Sequence, residues 1–321
     1  MDISSSSSDR IMHARADHNL HTLHGYAWVV AVAAFFLLLA GSMVTSTDSG
    51  DAIPTWPAPA VMPMEGGVFF ELGHRYVAAF VGLLTIILAV LVELRGAVLP
   101  SSIRKTTRFA AVLVVVMAIL GGVRVLVGQS VGDEHVAITV IGIGHGVLGQ
   151  TFFALTAAAV YLIGRARRGA FELSSERVLD RTFFKATRMA ISVLYLQLVL
   201  GGLVRFTRPG PVIELVALHV LGAVLVVYAI VELAIKVPRD HAATTGVQRA
   251  CHFALALLGV QFLLGVVTFF ALSHDGSRAQ ATWTADTLMP SLHFGVGALL
   301  LMTAILIHLA IRGRDSVETP A

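Results

Sequence analysis

The sequence predicts an all-α polytopic membrane protein, with eight transmembrane helices forming two pseudo-symmetric four-helix bundles. Three observations carry this expectation. Of 321 residues, 56% are hydrophobic and 13% charged, with a mean hydropathy of +0.80; soluble domains carry about 25% charged residues. Eight apolar segments reach the ~20 residues a helix needs to cross a bilayer, and none shows the short alternation of a membrane β-barrel. Glycine and histidine positions in the first four segments recur in the last four.

The Ser-rich polar tail 1–24 lacks the basic region and short apolar stretch of a signal peptide, so the first span, 25–46, is expected to act as an uncleaved signal anchor. That span ends Leu39-Ala40-Gly41-Ser42-Met43-Val44-Thr45. The second, 68–94, opens with Glu71-Leu72-Gly73-His74-Arg75, and the third, 108–130, carries Leu120-Gly121-Gly122-Val123-Arg124. The fourth, 136–164, holds His145 with Gly146 and Gly149 behind it. A polar linker, 165–186, leads to the second half, 187–312. There the fifth span, 187–205, ends Leu200-Gly201-Gly202-Leu203-Val204-Arg205, and the sixth, 213–236, holds His219 and Gly222. The seventh, 248–272, carries Leu264-Gly265-Val266-Val267-Thr268; the eighth, 285–311, holds His293, Gly295 and Gly297; a tail, 313–321, follows. Small residues allow close helix approach. Both halves begin on the same side, so the repeat is parallel, about an axis along the membrane normal.

Eighteen of the 23 Lys and Arg fall in the N-terminal tail, the 2–3, 4–5 and 6–7 connections and the C-terminal tail. By the positive-inside rule these segments and both termini are expected in the cytoplasm, with the protein in the cytoplasmic membrane. The net charge of +3 and pI near 9.3 then describe inner loops against anionic lipid rather than a nucleic-acid surface. The single cysteine, Cys251, excludes an intramolecular disulfide and a cysteine-held cluster; it reads as an inert helix residue.

His74, His145, His219 and His293 each sit just inside an even-numbered span, in or near its first turn and close to the outer face. Polar donors inside membrane helices are costly and usually face a bundle interior, where they serve function. Imidazole ligates haem iron, and helical bundles build cofactor sites from facing helices. Pairing within each half gives His74 with His145 and His219 with His293, two haem sites in all. The histidines of the polar tail (His13, His18, His21, His24) read as solvated, and His135, His252, His274 and His308 receive no chemistry.

Glu71 precedes His74 by three residues on one helix face. A partly desolvated carboxyl beside a haem edge can take a proton or stabilise developing positive charge. Arg75 can meet a haem propionate in two-pronged fashion, or pair with Glu71 at the helix start, where an acid is favourable anyway. No acid stands at that spacing before the other three histidines, so the halves look alike in ligation and unlike in chemistry.

These residues, with Val44-Thr45-Ser46-Thr47-Asp48-Ser49-Gly50 and Pro54-Thr55-Trp56-Pro57, make the chain resemble the haem A synthase family of cytochrome oxidase assembly factors over about residues 25–312. The resemblance implies oxidation of the C8 methyl of haem O to the formyl of haem A by successive hydroxylation. It implies that His74 and His145 hold the substrate haem, that Glu71 is the catalytic carboxylate, and that His219 and His293 hold a haem b iron as cofactor; Arg75 and Trp56 would line the pocket. Expected partners are a haem O synthase, the cytochrome oxidase assembly machinery, membrane lipid and an unidentified electron acceptor or donor; a homo-oligomer is compatible. Many bacterial members carry a cysteine pair in the first outer loop; here Ile53 precedes Pro54, Thr55 replaces an acid, and no thiol chemistry can occur in the loop. Two rival readings share the four histidines: a non-catalytic di-haem b cytochrome, and a haem-delivery assembly factor.

Overall fold

A computed structural model describes residues 3–57, 63–96, 99–132, 135–168, 181–207, 212–239, 245–274 and 284–312. Among these residues the structure is entirely helical: α1 Ile3–Ser46, α2 Gly66–Glu93, α3 Ser101–Val131, α4 Val136–Arg167, α5 Arg181–Phe206, α6 Ile213–Arg239, α7 Thr245–His274 and α8 Ala285–Arg312. All eight are long and apolar enough to cross a membrane, and the chain is a polytopic helical membrane protein. The eight expected spans match these helices in order.

The main departure in the elements is at α1, which reaches back to Ile3 through the expected polar tail. No Gly or Pro occurs between Ile3 and His24 to stop it. His24 therefore turns toward α4, half-buried, where a Cβ on Gly164 would lie 2.9 Å from its Nε2; it is not simply solvated. His135, given no chemistry, is the N-cap of α4, its Nδ1 accepting from Ala137 N–H at 3.2 Å. At the other end of that turn, Gly132 closes α3 with φ +80, a conformation that favours glycine. The tail 313–321, most of the linker 165–186, and the side chains of His13, His18 and His274 lie outside the described residues.

Helix contacts run α1–α2, α2–α3, α3–α4 and α1–α4, then α5–α6, α6–α7, α7–α8 and α5–α8. Each set of four has a cyclic order in which its two even helices stand across from each other. The sets meet where α1 and α4 pack on α8, and α4 on α5. Glycine permits this approach: a Cβ on Gly142 would lie 2.7 Å from the Phe206 ring, and one on Gly295 2.6 Å from Leu39. Polar contacts cross the same seam, Thr139 Oγ1 donating to Phe206 O at 3.2 Å and Thr151 meeting Tyr195 Oη at 3.1 Å.

Apolar packing is concentrated away from the histidines. Leu23, Ala27, Val30, Leu88, Val92, Ile103 and Ile163 close the far end of the first set. In the second, Ala190, Leu194, Ile230, Leu257 and Leu301 fill the middle, and Phe183, Leu233, Cys251, Ile307 and Ile311 fill the far end. Large side chains pin the helices there. At the histidine end the described apolar cluster shrinks to Met43, Val44 and Phe70.

Candidate functional site

His74 is the ninth residue of α2, His145 the tenth of α4, His219 the seventh of α6 and His293 the ninth of α8. At 1.5 Å per residue that is about 9 to 14 Å from each helix start. The histidines thus share one level, in the second or third turn rather than the first.

Each histidine is seated on a glycine of the helix before it. A Cβ would approach His74 Cε1 to 2.8 Å from Gly41, His219 Cε1 to 3.0 Å from Gly201 and His293 Cε1 to 3.1 Å from Gly265; from Gly121 it would reach His145 Cε1 at a comfortable 3.7 Å. The glycines read in the sequence as helix-packing residues are therefore imidazole seats, one per odd helix. All four rings are half-buried. The Nδ1 atoms of His74, His145 and His293 are buried without a hydrogen-bond partner, which is costly for a polar atom unless a ligand is to use the ring.

The structure brings the second pair directly together. His219 and His293 have ring centroids 6.2 Å apart at an interplanar angle of 69°. A metal bound about 2 Å from one nitrogen of each imidazole separates the ring centroids by roughly 6 Å, so this pair has room for one iron between them. Two axial imidazoles are the donor set haem needs from protein. His74 and His145 face each other across the first set from α2 and α4, each on its glycine seat.

Two residues that sequence reasoning passed over touch the second pair. Gln197 of α5 places its amide nitrogen 3.1 Å from His219 Nδ1 and 2.9 Å from the His219 carbonyl, and Gln261 of α7 places its amide nitrogen 3.2 Å from His293 Nε2. The available signal was spacing: each glutamine stands four residues before the seat glycine.

Glu71 is 3% exposed and both its oxygens are engaged. Oε2 accepts from Ile53 N–H at 2.7 Å and Oε1 pairs with Arg75 Nη2 at 2.5 Å. Arg75 also donates to the carbonyls of Thr55 at 2.7 Å and Ile53 at 3.1 Å. The Glu71–Arg75 pair therefore clamps the first connection onto α2. The same connection is held to α3, where Arg124 donates to Gly50 O at 2.8 Å and pairs with Asp51 at 3.3 Å, and Gln129 donates to Pro54 O. Trp56 is laid on Gly122, where a Cβ would come within 2.5 Å of the indole. Gly122 is next in sequence to Gly121, the His145 seat. Arg124 and Gln129, which tie down that connection, were not singled out in the sequence.

The Cytochrome oxidase assembly protein family model matches residues 61–218. That stretch contains Glu71, His74, Arg75 and His145 and stops one residue before His219. Over 116 residues, 33% of this chain and 37% of the relative, the chain is 33% identical to the Heme A synthase of Alkalihalophilus pseudofirmus. These matches support the haem A synthase family. Over 137 residues, 42% of this chain and 28% of the relative, it is also 32% identical to a Protoheme IX farnesyltransferase of Haloarcula marismortui. The matched stretches thus span about a third of the length of these curated relatives.

Proposed function

We propose that this chain oxidises the C8 methyl of a haem O substrate to a formyl group, giving haem A for cytochrome oxidase. The observation that carries the reading is the asymmetry at one level of the bundle: four histidines on glycine seats and, among the described residues, a buried carboxylate–guanidinium pair beside His74 alone. His74 and His145 hold the substrate haem; His219 and His293 hold a haem b, which when bound supplies one-electron chemistry. The half 25–164 is the substrate half and 187–312 the haem b half. By the distribution of Lys and Arg, both termini are cytoplasmic and the histidine level lies toward the outer face of the cell membrane.

Methyl to formyl is two successive two-electron oxidations in which one water supplies the formyl oxygen and four protons and four electrons leave, the electrons passing to an external acceptor. Glu71 contributes at the start of α2. Each of its oxygens keeps a second lone pair after the contacts to Ile53 and Arg75, so the carboxylate can accept a proton without first breaking from the loop. Arg75 pairs with that carboxylate and, with further N–H donors, is placed to meet a propionate. Trp56 and the clamped first connection cover the substrate side. Haem O synthase is the partner that must supply the substrate.

One observation favours a second reading. Because both Glu71 oxygens are bound within the fold, Glu71 can be a loop anchor alone, and the chain a di-haem b cytochrome or a haem-delivery factor. Co-expression with a haem O synthase, followed by pigment extraction, separates these. Haem A or its hydroxylated intermediate should accumulate with the wild-type chain and be lost with Glu71→Ala. Haem O alone from the wild type overturns the enzyme reading, and an unchanged product profile in the variant removes Glu71 from the chemistry.

A further inference from the structure

Three helix pairs share a reciprocal interlock around the histidine. In α5/α6, His219 rests on Gly201 while Gln197, one turn before Gly201, rests on Gly222, where a Cβ would lie 2.2 Å from its Oε1. In α7/α8, His293 rests on Gly265 while Gln261 rests on Gly297, with a Cβ distance of 3.3 Å to its amide nitrogen. In α3/α4, His145 faces Gly121 while Met117, again four residues earlier, rests on Gly149 at 3.4 Å. In α1 the corresponding residue is Leu37, four before Gly41. The frame repeats, but the residue four places before the seat glycine changes from an amide in the second half to an apolar side chain in the first.

The polar atoms say which way the amides work. Gln197 Oε1, Gln261 Oε1 and His293 Nδ1 are all buried without partners. Amide oxygen and nitrogen, and the two imidazole nitrogens, are distinguished only by the hydrogen bonds they make. Turning the Gln261 amide lets its oxygen accept the Nε2–H of His293, which leaves the buried Nδ1 as the free donor nitrogen of that ring. Gln197 donates from its amide nitrogen to the His219 carbonyl at 2.9 Å and lies 3.1 Å from Nδ1, which holds that ring in orientation. An imidazole whose one nitrogen donates to a carbonyl is fixed in tautomer and orientation, and its other nitrogen is a more basic ligand.

We infer that Gln197 and Gln261 are positioning residues that make the His219/His293 haem resident, and that Leu37 and Met117 leave the His74/His145 haem exchangeable. This rests on the proposed ligand assignment. It explains how one repeated frame can keep a haem in one half and release it from the other: the half that keeps its haem orients both ligands beforehand, and the half that passes haem on does not.

The test uses the purified full-length chain and reads haem b content per protein and midpoint potential. Gln197→Met and Gln261→Met place in the second half the side chain found in the first. Each should weaken haem b retention by roughly 10- to 100-fold, and Gln261→Met should also raise the midpoint potential of what remains, because a less basic ligand favours ferrous iron. Met117→Gln should slow haem loss from the first half and does not depend on the second half staying intact. His219→Ala is the control for the underlying assignment. If it loses haem b while both methionine variants keep wild-type retention and potential, the inference fails and the ligand assignment stands. If His219→Ala retains its haem b, both fall together.

Discussion

Four glycines decide where the imidazoles stand. An alanine at Gly41 would press its Cβ to 2.8 Å from His74, whereas one at Gly121 meets His145 at 3.7 Å. Overpacking of this kind costs about 1–3 kcal/mol. Gly41→Ala should therefore reduce haem A yield and lower the melting temperature, while Gly121→Ala leaves both near wild type. Equal behaviour of the two variants, in product analysis and thermal melting, would contradict the seating of the rings. The histidines, Glu71 and Arg75 were legible because polar residues in apolar helices stand out against their surroundings. The role of the glycines was half legible: recurrence was visible, but the ring that each accepts depends on the register between two helices. Gln197 and Gln261 were hidden for the same reason, since a lone amide in a helix shows no partner until the neighbouring helix is placed.

At the scale of the helices, Arg205 joins the two sets. From the end of α5 it donates to Ser42 O at 2.7 Å, Ser42 Oγ at 3.0 Å and Ser46 Oγ at 2.8 Å on α1, and its guanidinium lies 5.6 Å from the Phe294 ring on α8. Hydrogen bonds to charged groups contribute about 1.5–3 kcal/mol each, so Arg205→Ala should destabilise the seam by at least about 2 kcal/mol. Thermal melting of the detergent-solubilised chain should show a drop of several degrees, with Arg205→Lys intermediate; an unchanged melting curve would mean that the other seam contacts hold the two sets together without Arg205. The helices themselves were readable because eight apolar stretches of bilayer length leave few alternatives. The starts of the odd-numbered helices were less so. The extension of α1 to Ile3 depends on the absence of breakers in a polar stretch, a weaker signal than hydropathy. The capture of Ile53 by Glu71 depends on the path of a connection that no periodicity describes.

Across the whole molecule, large apolar side chains pack the far end and middle of each helix set, while glycine, histidine and a few polar clamps form the opposite end. That division suits a protein that must be rigid as a membrane bundle yet admit a flat macrocycle at one level. The central claim is a division of labour between two histidine pairs on a shared frame, and the pigments that co-purify with single-histidine variants test it most directly. Expressed with a haem O synthase, His74→Ala and His145→Ala should retain haem b and make no haem A, whereas His219→Ala and His293→Ala should lose most of the resident haem b. Loss of haem b in all four variants alike, or haem A production that survives His74→Ala and His145→Ala, would contradict it.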